Sequence, residues 1–163
     1  MIRRSKFQVA WAFGALLLVT AGCATGGGGG GQDSPEVRVN VGVSTAADME
    51  QQAGTVLSRY QFPVLRTVRE PVPLVESEWR NQTPTQDEQE LGVTEIQCRI
   101  LVRGRERSPS GGLRLYEVTF HMESQVKTPA SPEWTLMPVT SQRTRFAREI
   151  AGELQISLEM VRR

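Results

Sequence analysis

Cysteine and histidine are scarce in this sequence of 163 residues, which contains two cysteines and one histidine. Two cysteines exclude the disulfide-dense scaffold of small secreted domains, and one histidine excludes a metal site built from several histidines. No apolar run reaches the roughly 20 residues that a membrane-spanning helix needs, which excludes a polytopic membrane protein. We expect no metal and no cofactor.

The first 22 residues have the pattern of an export signal. Arg3, Arg4 and Lys6 precede an uninterrupted apolar run of 11 residues, Val9–Val19, and no acidic residue occurs before Asp33. A run of this length is short for a membrane span but typical of the core of a signal peptide. The positive flank keeps the N-terminus on the cytoplasmic side while the chain that follows is exported.

The next residues, Thr20-Ala21-Gly22-Cys23, resemble the lipobox of bacterial lipoproteins, with Thr20 where a large aliphatic residue is usual. The resemblance implies that Cys23 receives a diacylglycerol thioether, becomes the N-terminus after cleavage behind Gly22, and is then acylated, with palmitate as the typical chain. Several acyl chains on one residue anchor a protein stably. Ala24, in place of Asp, implies by the same resemblance the outer membrane, with the inner membrane as the alternative. An uncleaved anchor helix with a buried cysteine at its end is the competing interpretation.

Residues 23–35 connect the anchor to the rest of the chain through six consecutive glycines, Gly26–Gly31. Glycine has no side chain to pack and loses much backbone entropy on ordering, so this segment is predicted to be a flexible tether. The coil estimate gives a span of about 18 Å for residues 25–35. A phosphate-binding loop is excluded because no Lys followed by Ser or Thr comes after the glycines.

The mature chain is expected to be slightly acidic. Removal of residues 1–22 takes away three of the 19 basic residues and none of the 18 acidic ones, which leaves 16 against 18. An exported chain without a basic excess is a poor candidate for nucleic-acid binding, so we expect no nucleic-acid partner. Residues 36–163 are long enough for one domain with its own core.

Hydrophobic periodicity predicts an α+β domain. Apolar residues alternate at period two in residues 37–43 and recur at helical spacing in residues 46–60 and 146–161. The remaining segments are predicted as strands over 64–69, 74–80, 96–102 and 116–122, an edge strand or extended segment over 134–139, and a polar surface loop over 81–92 with one helical turn at 87–91. Thr45, and either Thr140 or Ser141, are the expected N-caps. We expect two helices on one face of a mostly antiparallel sheet of four to five strands.

Two of these strands form a predicted hairpin around the turn sequence of residues 108–112. A register in which paired residue numbers sum to about 220 puts Val102 opposite Val118 and Ile100 opposite Phe120. Both apolar rows then lie on one face, and a slip of one residue would bury charged side chains instead.

Few residues in this domain suggest chemistry. His121 is predicted to lie exposed on the face opposite the apolar rows, and Cys98 to be a reduced core residue. Glu76 and Glu78 supply the two acids that glycoside hydrolysis requires, but neighbouring carboxylates of one strand do not face each other across a cleft. We expect both to be solvated, and no catalytic residue is assigned.

Four arginines of one strand form the candidate binding site. Arg99, Arg103, Arg105 and Arg107 share the parity that points away from the core. In the predicted register Arg103 faces Glu117 and Arg99 faces His121, while Arg105 and Arg107 have no acid opposite them. Because guanidinium groups bind phosphates well, this strip could contact lipid head groups, lipopolysaccharide or an acidic protein. A solvated sheet face with cross-strand ion pairs is the alternative.

A lipidated cysteine, a short tether and a compact domain of helices and strands together resemble the small lipoproteins of envelope-assembly machineries, such as those of lipopolysaccharide export and barrel assembly. The resemblance covers architecture and location, and it transfers no binding residue. It implies a non-catalytic adaptor or accessory subunit that faces the periplasm and binds an envelope protein or lipopolysaccharide. A periplasmic carrier of lipid or another small ligand is the alternative, and a hydrolase is the least favoured class.

Overall fold

The computed structural model describes residues 34–107 and 113–161, which contain seven strands and three helices. In chain order these are β1 (Glu36–Ser44), α1 (Ala46–Arg59), β2 (Val64–Val68), β3 (Leu74–Ser77), β4 (Arg80–Gln82), α2 (Gln86–Glu90), β5 (Glu95–Glu106), β6 (Tyr116–Thr128), β7 (Ser131–Leu136) and α3 (Ser141–Val161). The export signal, Cys23, the glycines of the tether and the centre of the predicted hairpin turn lie outside the described residues. No helix in residues 34–107 and 113–161 is long and apolar enough to cross a membrane.

The strands form one antiparallel sheet in the order β1-β6-β5-β3-β2, with β4 also paired to β5 and β7 also paired to β6. This confirms the predicted α+β class and the mostly antiparallel sheet. The sheet has more strands than the four to five expected. The predicted strand over 74–80 is divided into β3 and β4 around Glu78 and Trp79, and the predicted edge segment pairs with β6 as β7.

Alternate side chains of β5 and β6 point to opposite faces of the sheet. Even-numbered residues, among them Ile100, Val102, Phe120 and Met122, are buried in one core cluster with the apolar residues of α1 and α3. We call the side of the sheet that carries these residues the inner face and the opposite side the outer face. Both long helices therefore cover the inner face, as the sequence predicted.

The register of the β5–β6 hairpin differs from the predicted one by two residues. Ile100 lies opposite Met122 and Val102 opposite Phe120, so that paired numbers sum to 222 rather than 220. The faces are as predicted, but the individual partners are wrong. A shift of two residues returns every side chain to the same face, and the apolar pattern therefore cannot distinguish the two registers.

The N-caps of the two long helices are residues that the sequence predicted. Thr45 caps α1, since its hydroxyl accepts a hydrogen bond from the amide of Asp48. At the start of α3, the Thr140 hydroxyl accepts a 3.4 Å hydrogen bond from the amide of Arg143. A second acceptor comes from α2, where the carboxylate of Asp87 accepts a 2.9 Å hydrogen bond from the amide of Gln142. This carboxylate fixes α2 to the first turn of α3.

The apolar stripe of α3 is shorter than predicted. Its buried residues run from Ala147 to Leu158, whereas Val161, the last predicted member, is exposed. Phe146, the first predicted member, is half-buried and packs edge-on against the ring of Tyr60. The predicted face of the helix is therefore correct except at its last turn.

The chain enters the domain in the half of the sheet that lies away from the β5–β6 connection. The amide of Val139 donates a 3.0 Å hydrogen bond to the carbonyl of Ser34, and Glu36, the first residue of β1, lies opposite Glu123, five residues before the end of β6. The other end of the sheet is where β5 ends and β6 begins, with Glu106 opposite Tyr116. Glu123 lies seven residue positions along β6 from Tyr116, which corresponds to a distance of about 24 Å. We call these the tether end and the hairpin end of the domain.

The segment over 81–92 is not the surface loop that its polar composition predicts. It forms β4 and α2, and the predicted helical turn is confirmed within α2. Glu88 is fully buried and forms a bidentate ion pair with buried Arg143 of α3, at 2.9 and 2.7 Å. Burial alone raises the pKa of Glu88, but hydrogen bonds from Arg143 and the Thr85 amide outweigh it and hold this pKa below its usual value.

The Arg143→Met substitution tests the contribution of this ion pair. It should lower the free energy of unfolding by about 3–5 kcal/mol, because it leaves the carboxylate of Glu88 buried without its partner. Arg145→Met removes an exposed arginine of the same helix and should have a much smaller effect. Urea unfolding followed by circular dichroism measures both variants, and equal destabilisation by the two would contradict the role of the buried pair.

Candidate functional site

The outer face of the sheet is the surface on which the candidate residues lie, and no helix of the described residues packs on it. One row across this face nevertheless contains three buried side chains: Glu76 of β3, Leu101 of β5 and His121 of β6, with 5, 2 and 7% of their surface exposed. We attribute this burial to the long arginine side chains that extend over the row, since arginine covers apolar surface with its stem while its charge stays in water.

Glu76 is the centre of an ion-pair network on this face. Its carboxylate binds Arg66 of β2 at 2.5 Å and Arg99 of β5 at 2.9 Å, and Arg99 binds Glu123 of β6 at 2.7 Å. Four adjacent strands are joined in this way. The expectation that Glu76 is solvated like Glu78 is wrong, because only Glu78 is exposed.

The structure separates the four arginines of the candidate strip into two groups. Arg99 is held by two carboxylates, and its guanidinium group lies 4.7 Å from the centre of the Trp79 ring. Arg105 is highly exposed and binds Glu117 at 2.5 Å. Arg103 and Arg107 are exposed, and neither forms a salt bridge within residues 34–107 and 113–161.

The shift in register explains why the predicted partners of these arginines are wrong. Arg99 lies opposite Glu123 rather than His121, and Arg103 lies opposite Thr119 rather than Glu117. Glu117 instead lies opposite Arg105, which was expected to have no acid facing it. Arg107 is beyond the last pair of the two strands, where its amide donates a hydrogen bond to the carbonyl of Leu115.

The hairpin end combines exposed arginines with two exposed apolar side chains. Arg114 lies 3.6 Å from Glu70 in the β2–β3 turn, and the amide of Gly104 donates a hydrogen bond to the carbonyl of Pro73. These contacts bring the β2–β3 turn beside the β5–β6 hairpin. Val72 and Leu113, one from each segment, are more than half exposed.

His121 lies on the predicted face but is buried rather than exposed. Its Nδ1 atom is 3.6 Å from a carboxylate oxygen of Glu36, at the start of β1. Burial is the main influence and lowers the pKa of His121; Glu36 opposes this effect, while Arg38 and Arg103 add to it. The imidazole is therefore neutral at pH 7.

Within residues 34–107 and 113–161, no group of three His, Cys, Asp or Glu side chains is placed to hold a metal ion.

Cys98 is buried on the inner face with a free thiol, as predicted. Its sulfur lies 3.4 Å from the hydroxyl oxygen of Ser124. Burial raises the pKa of the Cys98 thiol above its usual value, so the group stays protonated and unreactive at neutral pH. The predicted lipidation site, Cys23, is outside the described residues.

Sequence reasoning missed a row of side-chain amides on the tether half of the outer face. Asn81 lies opposite Gln97, and Gln97 lies opposite Gln125. Trp79 and Trp134 lie on either side of this row, and the ammonium group of Lys127 is 4.6 Å from the centre of the Trp134 ring. The parity of Gln97 follows from the predicted hairpin, but Gln125 lies beyond the predicted strand 116–122, and the pairing of the two depends on the correct register.

The burial of His121 predicts that stability depends on pH. The unfolded chain binds a proton at this histidine as the pH falls through about 6.5, whereas the folded protein, with its lowered pKa, does so only at lower pH. Stability should therefore fall as the pH falls through this range. His121→Gln should weaken the dependence.

Urea midpoints at about pH 7.5 and about pH 5.5 measure the effect, and the comparison is clean because the chain has no other histidine. The wild-type midpoint should decrease between the two values, and the midpoint of the His121→Gln variant should change much less. An identical decrease in both proteins would show that another group causes it.

A comparison of the chain with models of known protein families and with curated proteins finds no match.

Proposed function

We propose that this protein is a non-catalytic lipoprotein of the bacterial cell envelope, anchored to the outer membrane through lipidated Cys23 and facing the periplasm. The sequence that ends in Ala21-Gly22-Cys23 is the observation that carries the proposal, because it follows a charged flank and an apolar core of signal-peptide length. The six glycines after Cys23 have the composition of a flexible tether, which fits a domain attached to a lipid anchor.

The arrangement of the domain supports an adaptor role. The chain enters at the tether end, where Val139 binds Ser34, and the hairpin end lies about 24 Å away along the sheet. A domain held at one end presents its other end and its outer face to neighbouring molecules. We propose that an envelope protein or lipopolysaccharide binds there.

Within the candidate strip, the geometry favours Arg103 and Arg107 as the contacts to an anionic partner. Both are exposed and form no salt bridge in the described part of the chain, so their guanidinium groups can bind a carboxylate or phosphate without breaking an existing pair. Arg105 can bind only by sharing itself with Glu117. Arg99 is enclosed by Glu76, Glu123 and Trp79, and its role is to hold the face together.

The anchor is tested by the Cys23→Ser substitution. Without the thiol no thioether can form, so the variant should remain an unprocessed precursor and take up no labelled palmitate. The wild-type chain should be labelled and should sediment with the outer membrane on a sucrose gradient. Incorporation of labelled palmitate into Cys23→Ser would show that the lipobox interpretation is wrong.

The adaptor role is tested by photo-crosslinking in intact cells. A photoreactive amino acid placed at Arg103 should capture a specific envelope component, whereas the same group at Thr55, an exposed residue of α1 on the helical side, should not. Capture of the same component with equal yield at both positions would contradict binding through the hairpin end. Capture of nothing at Arg103 would contradict the proposed contact.

A further inference from the structure

The amide row on the tether half of the outer face has unused hydrogen-bonding capacity. The amide nitrogen Nε2 of Gln97 donates a 2.9 Å hydrogen bond to Oε1 of Gln125. Within the residues that the structure describes, this bond leaves Oε1 of Gln97 as an acceptor and Nε2 of Gln125 as a donor. A ligand that offers one hydrogen-bond donor and one acceptor would satisfy both.

The charges around this row are already neutralised. Arg99 is bound by Glu76 and Glu123, and Lys127 is bound by Glu95 at 3.1 Å. A polyanion would have to compete with these carboxylates, whereas a neutral polar ligand would not. The surroundings of the amides therefore favour an uncharged ligand.

Two indole rings complete the surface. Trp79 stacks against Arg99 at the β3–β4 junction, and Trp134 stacks against Lys127 on β7. Going from β4 through β5 and β6 to β7 crosses three strand spacings, or about 14 Å. Because Arg99 lies opposite Glu123, four residues from Lys127, the two rings are also offset by about 13 Å along the strands. Both rings are only partly exposed, so each is held in place by the protein and presents a limited surface. A ligand that contacts both must be an extended chain of several rings.

We propose that this surface, defined by Asn81, Gln97, Gln125, Trp79 and Trp134, binds a polymer of N-acetylated sugars. The N–H and C=O of the trans acetamido group of such a sugar point in opposite directions, so its C=O accepts from Nε2 of Gln125 while a ring hydroxyl of the sugar donates to Oε1 of Gln97. The C–H faces of the pyranose rings supply the apolar surface that indole rings contact. Access to such a polymer in the cell rests on the proposed envelope location, but binding itself does not.

Intrinsic fluorescence reports on this surface directly. Of the three tryptophans, Trp11 lies in the predicted signal, so the processed chain retains only Trp79 and Trp134. Titration of the full-length lipoprotein in mild detergent with the β-1,4-linked hexamer of N-acetylglucosamine should change its emission in a saturable manner. The glucose hexamer with the same linkage, which lacks acetamido groups, should bind about 10-fold more weakly or worse.

Variants locate the site. Gln97→Leu combined with Gln125→Leu should reduce affinity about 10-fold, and Trp134→Leu should reduce it about 3- to 10-fold, with far-ultraviolet circular dichroism confirming the fold. Gln155→Leu, at an exposed glutamine of α3, is the matched control and should leave affinity unchanged. Calorimetry measures Trp134→Leu, since this variant loses one of the fluorophores.

Three results would overturn the proposal. The first is that the N-acetylglucosamine hexamer does not bind saturably. The second is that the glucose hexamer binds equally well, and the third is that the double glutamine variant binds the N-acetylglucosamine hexamer as tightly as the wild-type protein. All of these measurements use purified protein and do not depend on the location of the protein in the cell. The sugar-binding proposal can therefore be refuted while Cys23 is found to be lipidated, and sugar binding can be found while Cys23 is not lipidated.

Discussion

The pairing of β5 with β6 is the constraint on which the rest of the structure depends. Twelve residues of each strand lie opposite each other in an unbroken register. Because side chains alternate along a strand, this pairing divides the hairpin into an apolar face and a polar face. All other strands except β2 pair directly with one of these two, so that their own side chains are assigned to the same two faces.

The two faces are stabilised by different means. The inner face is covered by α1 and α3, and its burial removes apolar surface from water. The outer face has no helix over it in the described residues, and long charged side chains cover its central row instead. Exposed ion pairs contribute little to stability, but Glu76 is buried and needs both Arg66 and Arg99 to offset its lost hydration. Some arginines of this face are therefore structural.

This distinction divides the outer face into regions with different chemistry. On the tether half the charges are paired, and amides and indole rings remain for contact with a neutral ligand. At the hairpin end Arg103 and Arg107 have no carboxylate partner in the described residues. A single sheet can thus offer two surfaces, one near the attachment of the chain and one far from it, which suits a tethered adaptor.

The sequence by itself determined the class of fold, both long helices, most strands and the face of each hairpin residue, because these follow from the period of the apolar pattern. It also determined the burial of Cys98. Only the tertiary structure decided which residues meet. The register differs by an even number that the pattern cannot detect, Glu88 is buried by an arginine 55 residues away, and Glu76 and His121 are covered by side chains from other strands. Local sequence carries no information on such distant partners, and the surface proposed for sugar binding depends on them.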